Sequence, residues 1–365
     1  SLNSYAYSIT GYAYLGLLSL LLLGFYMLII AILICYAYAW WWAMVTVRGE
    51  STIRWFVALL VIGYLIMRSL PWRAREPVSI VKSMSEMPRL HSLLGEVAHK
   101  VDAPQVHEVR LLPGTEIGIY ESGGYLGIPI NASRLLLMGM GALHGLNIGE
   151  LKALLAHEFA HFSRKDALLA RIVGGVSLNL MRMLEDVRLH IQWWWLNPFH
   201  WLLWIYMLIY MVVARGFNYQ REYTADHLAA LAYGGNVLKS ALETYAIESA
   251  LFNGIVHEAG RQLAQEGKFF TNMYKAFREL RTKHISADAI RKLKSELLTA
   301  KGSALALQPA IIQRIRRIES INPEAPIDER PAVSIFDDLE HVEQELSQLY
   351  AAVVHHVYVP LRISK

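Results

Sequence analysis

Three things are scarce in these 365 residues: cysteine, charge and, at the start, any basic side chain. The single cysteine, Cys35, excludes an intramolecular disulfide and a cysteine-built structural zinc site. It lies inside an apolar run, where a small core or lipid-facing residue is the better reading than a reactive thiol. Charged residues make up 18% of the chain, against about 25% in ordinary soluble domains, while hydrophobic residues reach 54%. That deficit points to a chain partly immersed in lipid. The net charge of +4 is mild and scattered, which argues against a nucleic-acid partner and fits Lys and Arg flanking membrane segments. The first ten residues hold neither Lys nor Arg, so the basic start of a secretory signal peptide is not expected there. No G-x-S-x-G occurs, and the lone cysteine sits in the first apolar run, so a serine or cysteine hydrolase is disfavoured.

What the chain does have is long apolar runs. Tyr12 to Met44 is nearly uncharged and longer than the roughly 20 residues a helix needs to cross a bilayer. It ends in Trp40, Trp41 and Trp42, an aromatic belt of the kind found at the lipid–water interface. After a short polar stretch comes a second run, Trp55 to Met67, which can span if Arg54 and Arg68 reach the two surfaces. Together they predict an N-terminal transmembrane hairpin over residues 1–75. The basic residues that follow it (Arg68, Arg73, Arg75, Lys82) place the downstream domain in the cytoplasm. That domain, residues 76–320, opens with helical periodicity from Ser83 to Lys100. Short extended segments follow at His107–Leu112, Thr115–Tyr120 and Tyr125–Asn131, divided by Pro113-Gly114 and Gly123-Gly124. Two more apolar stretches, Ala167–Leu184 and Trp193–Ala214, read as a second hydrophobic hairpin in or on the membrane. Lys268 to Lys301 is charged and amphipathic, and residues 321–365 form a C-terminal extension with a helix from Ser334 to Val354. His355 and His356 are read as surface residues. The fold class is therefore a mainly α membrane protein with a small sheet, α+β overall.

One motif carries chemistry. Asn147, with Glu150 three residues on, is the signature of a capping box opening a helix, and that helix carries His157-Glu158-Phe159-Ala160-His161. In H-E-x-x-H the two imidazoles stand at i and i+4, on one face and about 5–6 Å apart, so both can reach one metal ion. Glu158 projects beside them, free to accept a proton without being a ligand. Three ionisable groups on an apolar helix would be costly to bury without such a purpose. A catalytic metal needs a third protein ligand. Downstream, Glu222 and Asp226 are again i and i+4, so one carboxylate can ligate and the other can hold the tautomer of a ligand histidine.

H-E-F-A-H followed, after a hydrophobic pair of segments, by R-E-Y-T-A-D resembles the HtpX and CAAX-prenyl-endopeptidase family of integral membrane gluzincins. The resemblance runs from about Ser83 to Ile318, with an HtpX-like N-terminal hairpin in front. It implies a gluzincin-type zinc protease domain with a small sheet and the second hydrophobic hairpin inserted between the metal-ligand helices. It implies one zinc ion (Zn2+) per chain on His157, His161 and Glu222, Glu158 as general base and proton donor, and Asp226 orienting His157. It further implies a polypeptide substrate laid as an added strand on a sheet edge, contributed by Thr115, Ile117 and Ile119 or by Gly127 and Ile128. Where the family carries His-Pro and then Arg-Ile, this chain has Gln308-Pro309 and Arg314-Ile315. Gln308 and Arg314 are thus the expected donors to the oxyanion. A glutamine can donate a hydrogen bond but brings no positive charge, and losing one such donor costs about 3–4 kcal/mol of barrier. The expected protein is an endopeptidase of the bacterial inner membrane, in contact with the lipid bilayer and acting in membrane-protein quality control, for example on misfolded membrane proteins. The competing expectation is a zinc-binding membrane scaffold without turnover, which would have no need of Glu158. A narrower one, prenyl-protein processing, would call for more membrane spans.

Overall fold

The structure is a computed structural model; it describes residues 9–49, 51–69, 78–122, 133–163, 194–300, 308–322 and 324–354. Helix α1 (Ile9–Thr46) has 38 residues, about 57 Å at 1.5 Å per residue, and helix α2 (Ser51–Ser69) folds back on it. Trp40 packs on Phe56 and Trp42 on Trp55 around the turn, and the Tyr36 hydroxyl donates to the Leu59 carbonyl at 3.0 Å. The expected N-terminal hairpin is therefore present as two packed helices.

The part of the chain after the hairpin begins with a four-stranded sheet. Its strands are β1 (Ile80–Lys82), β2 (Glu108–Leu112), β3 (Ile117–Ser122) and β4 (Ser133–Gly139), in the order β1-β2-β4-β3. β2 and β4 are parallel, while the outer pairings are antiparallel. Most of the apolar stretch Leu135–Met140 is thus the inner strand β4, a role that periodicity did not give it. A fully buried strand carries a continuous apolar run rather than alternation. The expected strand at Tyr125–Asn131, with Gly127 and Ile128, lies outside the described residues. Ser83 caps a single turn, Met84–Glu86, and helix α3 (Pro88–Lys100) starts afresh at Pro88, because proline suits a first turn but cannot donate inside a helix.

Helix α4 (Met140–Leu143) leads into helix α5 (Ile148–Ala160), whose capping box is fully formed. Asn147 Oδ1 accepts the Glu150 N–H at 2.8 Å, and Glu150 Oε2 accepts the Asn147 N–H at 3.0 Å. Leu151, Leu155, Ala156 and Phe159 of α5 are buried in the main core with Leu90 and Val97 of α3, Leu136 and Met138 of β4, and Phe277. Burying each such side chain contributes roughly 1.5–3 kcal/mol. α5 is therefore an inner helix, which is why its hydrophobicity shows so little one-sidedness.

Of the expected second hydrophobic hairpin, the stretch Ala167–Leu184 lies outside the described residues. The second arm does not stop where the apolar run ends. It continues as a single helix, α6 (Pro198–Tyr233), with Asn197 as N-cap and Pro198 in the first turn. The first half of α6 lies along the first half of α1, in a separate cluster holding Leu18, Phe25, Leu203, Met207, Tyr210 and Phe217. Gly24 lets the two helices approach, since a Cβ there would overlap the Tyr206 hydroxyl, which donates to the Leu21 carbonyl at 2.6 Å. Asn197 Nδ2 donates to the Leu65 carbonyl at 2.9 Å, so α6 begins where α2 ends. The outward faces carry exposed Leu20, Leu23, Ile30, Ile34, Leu202, Ile205 and Ile209. Among the described residues, two helices, Ala13–Thr46 and Pro198–Tyr233, are long and apolar enough to cross a membrane, and Ser51–Met67 is a shorter apolar helix.

Helix α7 (Gly235–Gln265) then crosses the core, and the charged stretch after it resolves into two helices, α8 (Met273–His284) and α9 (Ala287–Thr299). Helix α10 (Ile311–Ile318) is short and buries Arg314, Ile315 and Ile318. The last helix, α11, runs Leu339–Val354 rather than from Ser334. Asp338 caps it, accepting the His341 N–H at 3.1 Å, while the Ser334 hydroxyl is engaged with the Pro331 carbonyl at 2.6 Å. His355 and His356 lie outside the described residues.

Candidate active site

The helix–sheet arrangement brings the motif residues together. α5 runs beside α6, so the end of one faces the second half of the other. His157 sits in the last turn of α5 and His161 is its C-cap, still in helical conformation. Their ring centroids are 4.9 Å apart. Glu222 of α6 reaches both, with Oε2 3.4 Å from His157 Nε2 and Oε1 3.6 Å from His161 Nε2. One potential ligand atom from each of the three residues lies within 4.8 Å of the other two. Glu222 Oε2 is buried and has no hydrogen-bond partner. An orphaned carboxylate oxygen facing two imidazoles is what a divalent cation fits, since a buried acceptor left alone costs about 1–3 kcal/mol.

Asp226, one turn further along α6, is fully buried with Oδ1 2.9 Å from His157 Nδ1. Arg314 of α10 closes on the same carboxylate with two bonds, Nε to Oδ2 at 2.8 Å and Nη2 to Oδ1 at 2.7 Å. Its Nη1 stands 3.9 Å from Glu222 Oε2. Burial and the Arg314 charge both push the His157 imidazole down, but Asp226 and Glu222 outweigh them and raise it to about 10. For His161 burial wins and lowers it to about 3, with Glu222 opposing. Burial raises the Glu158 carboxyl, and the neighbouring Glu222 adds to the rise, while His157 and the Ile119 N–H oppose it.

Strand β3 lies at the edge of the sheet and borders this cluster. The Gly139 N–H bonds to the Glu116 carbonyl, so the even-numbered backbone groups of β3 face β4. The odd-numbered ones face away, and the Ile119 N–H donates to Glu158 Oε2 at 3.4 Å. Ile117 is on the same side of the strand, beside Tyr245 of α7. Thr115 lies just before the strand, 3.5 Å from Asn253 Nδ2 through its Oγ1. Gly127 and Ile128 lie outside the described residues.

The two expected oxyanion donors are placed differently from the sequence reading. Gln308 is exposed at a bend before α10, and no hydrogen bond joins it to the cluster. Arg314 spends its fork on Asp226, because its helix is seated behind His157. Tyr245 is a residue the sequence reading missed. It belongs to no motif, and only the packing of α7 against β3 brings it near Glu158.

Residues 85–321, well over half of the chain, match the model of peptidase family M48. A relative described as a protease HtpX homolog, from Thermoanaerobacter pseudethanolicus (strain ATCC 33223 / 39E), is 29% identical over 175 residues, covering 42% of this chain and 55% of the relative. The match thus spans about half of that relative's length. No solved structure matches the chain. On the extent of the family match, this chain belongs to peptidase family M48.

Proposed function

We propose that the chain is a membrane-anchored zinc endopeptidase. The observation that supports this most directly is the convergence of His157, His161 and Glu222, with Glu158 beside them but outside the ligand set. In this reading His157, His161 and Glu222 hold one zinc ion per chain. The ion would supply Lewis acidity and bring a water's pKa toward about 7. Glu158 takes a proton from the attacking water and returns it to the leaving amine; burial, which raises its carboxyl, favours holding that proton in between. Asp226 accepts the Nδ1–H of His157, leaving Nε2 bare toward the ion. The free edge of β3, at Ile117 and Ile119, pairs with the main chain of an extended peptide, which gives affinity with little demand on sequence. For this, Glu158 must release the Ile119 N–H it now holds. The apolar helices α1 and α6 anchor the domain in the bilayer, with the catalytic part on the cytoplasmic side and membrane proteins as substrates.

The test compares purified wild-type protein with Glu158→Gln for bound zinc and for cleavage of casein, with and without a chelator. The expected result is a stoichiometric zinc in both and a loss of cleavage of at least about 100-fold in the variant. Equal cleavage by both proteins would refute the assigned base. Zinc in both with cleavage in neither would favour the scaffold.

A further inference from the structure

Arg314 is buried, and its guanidinium is taken up by the residues behind His157. Two of its nitrogens are engaged with Asp226, and Nη2 also lies 3.3 Å from His157 Nδ1. Asp226 Oδ1 is therefore shared between the guanidinium and the imidazole. A carboxylate held by a single bond can turn about its own axis and offer either oxygen. A forked, planar guanidinium fixes that plane, which a lysine ammonium cannot do. Through this plane the His157 ring is set with Nδ1 toward Asp226 and Nε2 toward Glu222.

The helix that carries Arg314 has little freedom. Ile315 and Ile318 are buried in the main core. The Gly235 N–H donates to the Ile321 carbonyl at 2.6 Å, and a Cβ at Gly235 would overlap the Ile318 carbonyl oxygen. Beside Glu222, the Tyr223 ring lies under the Arg317 guanidinium at 3.8 Å, and the Tyr223 hydroxyl is 3.4 Å from Gln313 Oε1. α10 is thus clipped to α6 on both sides of Arg314.

We infer that Arg314 is a positioning residue of the metal centre: by forking onto Asp226 it fixes the His157 ring, and so couples the seating of α10 to metal affinity. This rests on the reading of His157, His161 and Glu222 as the ligand set. It differs from an oxyanion donor in what is lost on substitution. A donor to the reacting carbonyl would change turnover and leave metal binding alone. A positioning residue changes metal binding first. Linkage then requires the reverse effect, so zinc must tighten α10 as Arg314 tightens zinc.

The experiment uses the full chain in detergent, with zinc affinity measured by competition with a chromophoric chelator. Amide exchange of Ile311–Ile318 is followed with and without zinc, and peptide cleavage is measured at saturating zinc. Arg314→Lys is expected to weaken zinc binding by about 10–100-fold, the usual range for a residue behind a ligand histidine. It should also abolish the zinc-dependent protection of α10, with KM for peptide unchanged. Asp226→Asn should weaken zinc similarly, and the double variant should be no worse than Asp226→Asn alone, because the two residues act in series. If either single variant fails to fold, the other decides by the same measurement. Zinc affinity within twofold of wild type in Arg314→Lys, with kcat reduced, would overturn the inference in favour of direct contact with the carbonyl. Losses that multiply in the double variant would overturn it as well. A wild-type protein that takes up no zinc would instead defeat the metal-centre reading on which the inference stands.

Discussion

Glu150 serves two structures with one carboxylate. Oε2 caps the start of α5 through the Asn147 N–H, while Oε1 accepts the Ser240 hydroxyl at 2.6 Å and the Thr244 hydroxyl at 3.2 Å from α7. Replacing it by alanine removes a cap and leaves two hydroxyl donors without their partner. Glu150→Ala is expected to lower unfolding free energy by about 1–3 kcal/mol, read from denaturant midpoints. An unchanged midpoint would mean the box is ornamental. This cap was visible in the sequence, because Asn147 and Glu150 stand at the fixed spacing of a local motif. So was the pairing of His157 with His161 and of Glu222 with Asp226, since helical spacing is also local. The Arg314–Asp226 bond was not, because 88 positions separate the two residues and neither spacing nor composition ties them.

Among the helices, α6 joins two roles. Its first half packs on α1 in the apolar cluster, and its second half carries Glu222 and Asp226 into the site. One continuous rod therefore ties the membrane-facing part to the metal-binding part. Its far end turns at Gly234, whose φ of 101° suits glycine, and α7 leaves at once from Gly235 against the α10 backbone. Gly235→Ala would push a methyl group into the Ile318 carbonyl, which is main chain and cannot swing aside. The expected cost is about 1–3 kcal/mol of overpacking, seen as a lower thermal midpoint, together with weaker zinc binding as Arg314 shifts with α10. A variant as stable and as zinc-competent as wild type would contradict the tight seating of that helix. The sequence placed the apolar run at Trp193–Ala214, but did not show that one helix continued through Arg215 and Arg221 to Tyr233. A change from apolar to polar residues marks a change of surroundings, not the end of a helix.

Taken as one body, the chain closes on itself through a buried polar knot between α8 and α11. Glu343 accepts from Asn272 Nδ2 at 2.7 Å and Arg278 Nη1 at 2.6 Å, and lies 3.2 Å from His144 Nε2. Burial alone would raise the Glu343 carboxyl, but the bonds from His144, Arg278 and Asn272 outweigh it and bring it down to about 2. Since the folded value lies below the ordinary value of 4.5, this stabilisation is complete above about pH 4.5. It is lost as the pH falls from there toward 2. Acidification across that window should therefore release α11 from α8, as faster amide exchange in Leu339–Val354. Glu343→Gln should show fast exchange at every pH. Exchange in α11 that stays constant from pH 6 to 3 in the wild type would contradict this. Nothing local foretold the knot, because its members come from three separate segments, His144, Asn272 with Arg278, and Glu343.

The order of helices and apolar runs, the metal-ligand pattern and the membrane-seeking character were set by the sequence alone. Each depends on residues within a few turns of one another, where helical periodicity and side-chain chemistry act directly. Tertiary structure decided which apolar stretch became an inner strand, that Ile119 faces Glu158, and that Arg314 stands behind His157 while Gln308 is exposed. Those outcomes depend on which surfaces meet when distant segments pack, and such meetings are selected by the burial of the whole core rather than by any neighbouring residue.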